Sequence, residues 1–312
     1  MKTIVVTGGT GFLGLNLIKT FLSNGYYVWA IVRPQSKNKM VLPPVSEYFR
    51  MLECEITEKS KILETIIHAD AWFHYAWEGV NREEIDSPVV QNRNVEMSIQ
   101  ALHIAHHLGC DFFADAGSRV EYGVTEHEMV ESLVCNPITE YGKAKLQFFN
   151  QATTVCEELG MKYCHLRFFS VYGYGDHPWS IISTLLKRLP QGEKVSLSAC
   201  QHKWNFMHID DASEAVYQLY LAIVQRENFK TDVFNIASVD TRILRSFVEE
   251  IDQITGCKGC LEFGTFVQGK EGAISVIPDI TKLLRLVEGW QERYSFAEGI
   301  KETLQKQSDN EV

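Results

Sequence analysis

Residues 2–32 limit the fold more tightly than any other stretch of the chain. "KTIVV" (2–6) is a β-branched run of strand character, "GFLGLNLIKTFLSNG" (11–25) carries apolar residues at helical spacing and stops at Asn24–Gly25, and "YYVWAIV" (26–32) is strand-like again. Strand, helix and strand at this spacing make a βαβ unit, whose two strands run parallel because the helix carries the chain back across the sheet. The alternation continues with a helix over 58–68, strand "AWFHYA" (71–76), a helix over 88–109, strand "DFFADA" (111–116), a helix over 141–159 and strand "KYCHLRFF" (162–169). Such a pattern specifies an α/β fold, a doubly wound and mostly parallel sheet covered on both faces. No internal repeat interrupts it, and only the polar tail "QKQSDNEV" is predicted to be disordered.

The first βα turn, "TGGTGFLG", carries Gly8, Gly11 and Gly14 in a G-x-x-G-x-x-G pattern. Glycine at these places lets the backbone turn sharply, approach a pyrophosphate and pack helix on strand, with the phosphates at the positive end of the helix. Because the turn follows a strand and opens a helix, the pattern sits in the context a dinucleotide site needs. Thr10, Phe12 and Leu13 complete the segment predicted to hold the cofactor. At the end of the second strand, where an NAD site would place an acid on the ribose hydroxyls, "AIVRP" has Arg33, which suits a 2′-phosphate and hence NADP. Ser36, Lys37 and Lys39 follow as helpers, and "ECEIT" (53–57) is the turn predicted to edge the adenine through Glu55 and Ile56.

At 312 residues the chain is long enough for a domain with an appended lobe, or for two domains. Thirty basic residues against forty acidic ones leave a net charge of −10 with no Lys/Arg-rich run, which argues against a nucleic acid or an anionic membrane as partner. No apolar run has membrane-spanning length, and Lys2 leads straight into a strand rather than into a signal peptide, so the chain is predicted to be cytoplasmic. Eight cysteines in mostly apolar surroundings fit a reducing compartment. Cys257 and Cys260 form one C-x-x-C, but without a second ligand pair no zinc site is predicted, and the pair does not open a helix as a redox motif would.

"EYGKAK" (140–145) places Tyr141 and Lys145 four residues apart at the start of a helix, so both side chains can reach one small volume. "DFFADA" runs into "GSRVEYG", which puts Ser118 at the carboxyl end of a central strand, where open α/β sheets bind ligands. Ser118, Tyr141 and Lys145, following T-G-x-x-G-x-x-G, resemble the extended short-chain dehydrogenase/reductase family over nearly the whole chain. "HYAW" (74–77) with Asn94, "LRFFSVYG" (166–173) and "FMHIDDASEAV" (206–216) match it as well, and the carboxyl-terminal run from Leu261 resembles nucleotide-sugar members, notably CDP-abequose synthase-like 4-ketoreductases.

The resemblance implies a Rossmann domain from 1–172 plus 204–239, a smaller substrate-binding lobe from 173–203 plus 240–312, and a homodimer. It implies that Tyr75, Ala76, Trp77 and Asn94 line the nicotinamide side and that Ser118 hydrogen-bonds the substrate oxygen. Tyrosine is a sluggish acid at neutral pH, so Lys145 is predicted to lower the pKa of Tyr141 as well as to hold the nicotinamide ribose.

The chain also departs from the family. Arg119–Val120 stands where dehydratases carry Asp-Glu, Ser170 where many members have asparagine, and Trp204 and Gln268 where arginines hold the diphosphate. Lys203, Arg188 and Lys187 are candidate replacements for those arginines. Trp77 and Glu78 are predicted to face the substrate cleft, with Ser118, Arg119, Ser170 and Trp204. His74 reads as a packed core histidine, and His103, His106 and His107 on one helix lack the further ligands of a metal site.

The function predicted is NADPH-dependent reduction of the 4-keto group of a nucleotide-linked 4-keto-6-deoxy sugar. The alternatives are a 4-epimerase that retains NAD and a non-catalytic nucleotide sensor; the intact Ser118, Tyr141 and Lys145 argue against the sensor.

Overall fold

A computed structural model describes residues 1–81, 83–266 and 274–310. The chain runs β1 (Thr3–Thr7), α1 (Phe12–Ser23), β2 (Tyr27–Val32), β3 (Phe49–Glu53), α2 (Lys59–Thr65), β4 (Ala71–His74), α3 (Pro88–His107), β5 (Phe112–Ser118), α4 (Glu140–Leu159) and β6 (Lys162–Phe168). It continues with β7 (Ser170–Tyr172), α5 (Ile181–Arg188), β8 (Lys194–Leu197), β9 (Lys203–His208), α6 (Ile209–Val224) and β10 (Thr231–Ile236). After these come β11 (Thr241–Ile243), α7 (Leu244–Ile254), β12 (Cys260–Phe263), α8 (Thr281–Leu286) and α9 (Phe296–Asn310).

Among the described residues the main sheet has seven strands in the order β10-β6-β5-β4-β1-β2-β3, and every pairing is parallel. The chain thus winds outward in both directions from β1, and the order reverses between β1 and β4, where the carboxyl ends open a crevice. One apolar layer packs β1, β4 and β5 against α1 and α6 through Phe21, Phe73, Phe112 and Tyr220; the other packs them against α3 and α4 through Trp72, Phe113, Phe148 and Tyr163. A third core joins Tyr172, Leu185, Phe206, Phe247 and Ile300. It supports a three-stranded sheet, β11-β9-β7, beside a β12-β8 pair.

The elements follow the sequence pattern with shorter ends: the strand predicted over 71–76 stops at His74, which frees Tyr75 to Glu78 to form a loop across the crevice. The tail predicted to be disordered instead continues α9 to Asn310. It is held by Ile300 and Thr303 in the core and by pairing of Lys306 with Glu302 one turn back. Gln268 lies outside the described residues. No helix among those described is long and apolar enough to cross a membrane.

Candidate active site

The crevice begins at the glycine turn. Gly8 has φ +72°, and a Cβ there would lie 2.5 Å from the Tyr75 carbonyl, so this corner is closed to any larger residue. A Cβ on Gly14 would collide with the Gly8 carbonyl, which lets the first turn of α1 press against the β1–α1 loop. Gly11 is the N-cap of α1, and no side chain caps the helix. The N–H groups of its first turn therefore lack a side-chain acceptor, as an anion site requires. These features fit a dinucleotide pyrophosphate. Gly8, Thr10, Gly11, Arg33, Ser36, Glu55, Ile56 and Tyr75 to Glu78 line one continuous cleft.

Three of the residues predicted to hold the cofactor do not line this cleft. Phe12 and Leu13 are not among its lining residues, and Leu13 lines instead an apolar niche with Tyr75 and Phe168. Asn94 is buried in α3, where its side chain accepts from the Glu78 N–H and donates to the Glu78 carbonyl, both at 2.9 Å. It locks the loop after β4 instead of lining the cleft.

Glu78 lines the same cleft as Arg33. Its carboxylate pairs with Arg33 and with Arg93. Lys39 is engaged by Glu53, while Ser36 donates to Thr10 Oγ1 at 3.1 Å within the cleft.

Ser118 ends β5, and Thr139 caps α4 by accepting from the Gly142 N–H at 3.1 Å, which sets Tyr141 and Lys145 in the first two turns. Tyr141 lies beside Ser118, and its ring meets Trp77 edge to face with centroids 6.1 Å apart. Lys145 Nζ donates to the Ala116 carbonyl at 2.7 Å and lies over the Trp77 ring, 3.4 Å from its centroid. Burial pushes the Lys145 ammonium down to about 8 against the pull of Asp115 and Glu121. Burial raises the Tyr141 phenol, with Glu121 and Asp115 adding to the rise and the Ser118 hydrogen bond opposing it. The predicted lowering of Tyr141 by Lys145 is therefore not the dominant effect, because the ammonium is committed to a carbonyl and an aromatic face.

Beneath the site lies a buried charged chain that the sequence analysis missed. Glu121 accepts from the Ser118 N–H at 2.6 Å and from Arg167 Nε at 3.0 Å. His165 bridges Glu121 and Asp115, each at 2.9 Å, and Tyr163 donates to Asp115 at 2.8 Å. Burial alone would raise Glu121, yet His165 and Arg167 hold it down to about 2. Burial alone would lower His165, yet the two carboxylates push it up to about 9. The signal was present in "YCHLRF", where His165 and Arg167 alternate on one face of an otherwise apolar strand, and in Glu121 before Tyr122.

A second cavity, of about 360 Å³ and largely apolar, is lined by Trp179, Ile181, Leu197, His202, Trp204 and Phe266. The Arg119 guanidinium stacks 4.9 Å from the Trp204 ring centroid, between that cavity and Ser118. Ser170 heads β7, opposite Phe206 of β9. Arg188 pairs with Glu193 at 2.7 Å, and Lys187 and Lys203 are exposed; none of the three lines the cavity.

His74 and His107 have local partners. His74 is buried between Thr7 and Ser98, 2.9 Å from each, and burial, with Lys145 adding, pushes it down to about 3. His107 contacts Lys59 and the His103 carbonyl. His208, Asp210 and Glu302 have ligand atoms within 4.8 Å of one another, and Lys306 pairs with both carboxylates there. Cys257, after α7, and Cys260, the first residue of β12, are exposed thiols.

Comparison with known proteins gives concordant relatives. The model of the NAD dependent epimerase/dehydratase family matches residues 4–237. CDP-abequose synthase of Salmonella muenchen is 23% identical over 305 residues, 97% of each chain. The dTDP-6-deoxy-L-talose 4-dehydrogenase (NAD(+)) of Aggregatibacter actinomycetemcomitans is 28% identical over 253 residues, covering 79% of this chain and 88% of that one. Among solved structures, UDP-glucose 4-epimerase of Thermotoga maritima with UDP-glucose superposes with a TM-score of 0.83 at 22% identity, over 99% of this chain and 100% of that one.

Proposed function

The chain belongs to the NAD dependent epimerase/dehydratase family, and from that premise we propose that it reduces the 4-keto group of a nucleotide-linked 4-keto-6-deoxy sugar with NADPH. One observation carries the reading: Tyr141 lies beside Ser118 with its ring against Trp77, which lines the glycine-turn cleft and also carries the Lys145 ammonium on its face. Carbonyl reduction needs a proton donor at the oxygen where charge develops, and the Tyr141 phenol beside Ser118 is the group placed to be that donor. The nicotinamide, when bound, supplies the hydride.

On this reading Ser118 donates to the sugar oxygen and Tyr141 delivers the proton. Lys145, tethered by the Ala116 carbonyl, holds the nicotinamide ribose and restores positive charge beside the phenol. The cavity of Trp179, His202 and Trp204 suits a nucleobase, and Arg119, between it and Ser118, is placed for the diphosphate. Residues 1–172 and 204–239 hold the cofactor, and the remainder holds the nucleotide sugar.

The second reading is a 4-epimerase with retained NAD. It is favoured by Glu78, which brings a carboxylate to the ribose end of the cleft. A panel of CDP-, dTDP-, UDP- and GDP-linked 4-keto-6-deoxy sugars separates the two. The reductase oxidises one equivalent of NADPH per sugar and purifies with little NAD. Near-stoichiometric NAD on the purified protein, with hydroxyl epimers interconverting without added cofactor, establishes the epimerase instead.

A further inference from the structure

We propose that Glu78 sets how strongly the nucleotide cleft selects a 2′-phosphate, by holding the guanidinium that would bind it. The inference rests on reading that cleft as the cofactor site. A Rossmann site that selects NAD carries an acid at the end of the second strand, and this chain has Arg33 there. The tertiary structure returns the missing acid from elsewhere: the loop after β4 crosses the crevice and places the Glu78 carboxylate on Arg33.

The placement is built, not incidental. Asn94, buried in α3, bonds both the N–H and the carbonyl of Glu78, so the backbone cannot drift. The second carboxylate oxygen is taken by Arg93, also from α3. Two guanidiniums thus converge on one carboxylate at the edge of the cleft, an arrangement that a phosphate dianion would also satisfy. A 2′-phosphate must displace Glu78 from Arg33 or add beside it against like charge, whereas a ribose diol can donate to the carboxylate as it stands. Glu78 therefore narrows the margin that Arg33 gives to NADP and keeps NAD admissible.

The test is isothermal titration of 2′,5′-ADP and of 5′-AMP at one fixed ionic strength, since neither probe needs turnover or the sugar substrate. Glu78→Gln, which leaves the Asn94 clamp in place, is expected to raise the ratio of 2′,5′-ADP to 5′-AMP affinity by about tenfold, the effect of one charge-assisted partner regained. Arg93→Gln leaves Glu78 wholly to Arg33 and is expected to lower the ratio. Arg33→Gln should bring the ratio toward unity with or without Glu78. If both probes bind and Glu78→Gln leaves the ratio within about twofold of its original value, Glu78 is not a discriminator, while the cleft assignment stands. Failure of the unmodified protein to bind either probe overturns the cleft assignment and this inference together.

Discussion

The Lys145 ammonium lies 3.4 Å from the centroid of the Trp77 ring and 5.7 Å from that of Tyr141. A buried cation is costly unless its charge is met, and here an aromatic face and one carbonyl meet it only in part, so the group gives up its proton more readily.

This makes Lys145 a residue kept at the expense of stability. Its pKa falls from 10.5 in the unfolded chain to about 8 when folded, so between those values the unfolded chain binds more protons and stability rises with pH. The penalty is present in full below pH 8. Lys145→Met is expected to raise the Tm of the cofactor-free protein at pH 7, with the gain shrinking as pH approaches 10, while turnover and cofactor affinity fall. Thermal melts of both proteins across this range check it; a variant less stable at pH 7 would mean that the ammonium is well solvated or well paired.

Tyr141→Phe keeps the ring against Trp77 but removes the proton donor. NADPH oxidation with a nucleotide 4-keto sugar should fall by roughly 10²- to 10⁴-fold, the range for a lost general acid, with the melting curve little changed. Turnover within a factor of a few of the unmodified protein would reduce Tyr141 to a packing residue.

For the cofactor, Arg33 is expected to make kcat/KM with NADPH exceed that with NADH by about tenfold. Arg33→Asp adds a second acid beside Glu78 and should reverse the order. Steady-state kinetics with the two cofactors decides, and equal or better use of NADH by the unmodified protein would refute the preference.

The chain of Asp115, His165, Glu121 and Arg167 gives stability two pH limits. Glu121 falls from 4.5 to about 2, so its contribution is complete above pH 4.5 and is lost as pH falls through about 2. His165 rises from 6.5 to about 9, so its contribution is complete below pH 6.5 and is lost as pH rises through about 9. Tm against pH should therefore show a plateau between 4.5 and 6.5. Glu121→Gln should lower the plateau, flatten the acid side and move the alkaline fall to lower pH, because His165 loses one of its two carboxylates. Superimposable curves for the two proteins would show that the four groups do not titrate as a network.

The α/β class, the parallel sheet and the place of the glycine turn were legible in the sequence because they rest on local periodicity and on a short motif within one βαβ unit. The spacing of Tyr141 and Lys145 was legible for the same reason, since a helix puts such residues on one face. What only the tertiary structure decided was the set of partners that distant segments bring to these residues. Trp77, 68 positions before Lys145, takes the ammonium; Glu78, 45 positions after Arg33, takes the guanidinium; His165, 44 positions after Glu121, fixes the acid behind Ser118. No periodicity encodes such pairings. They follow from which strands lie side by side and from how far each loop carries a side chain past the end of its strand, and they set the electrostatics of the site.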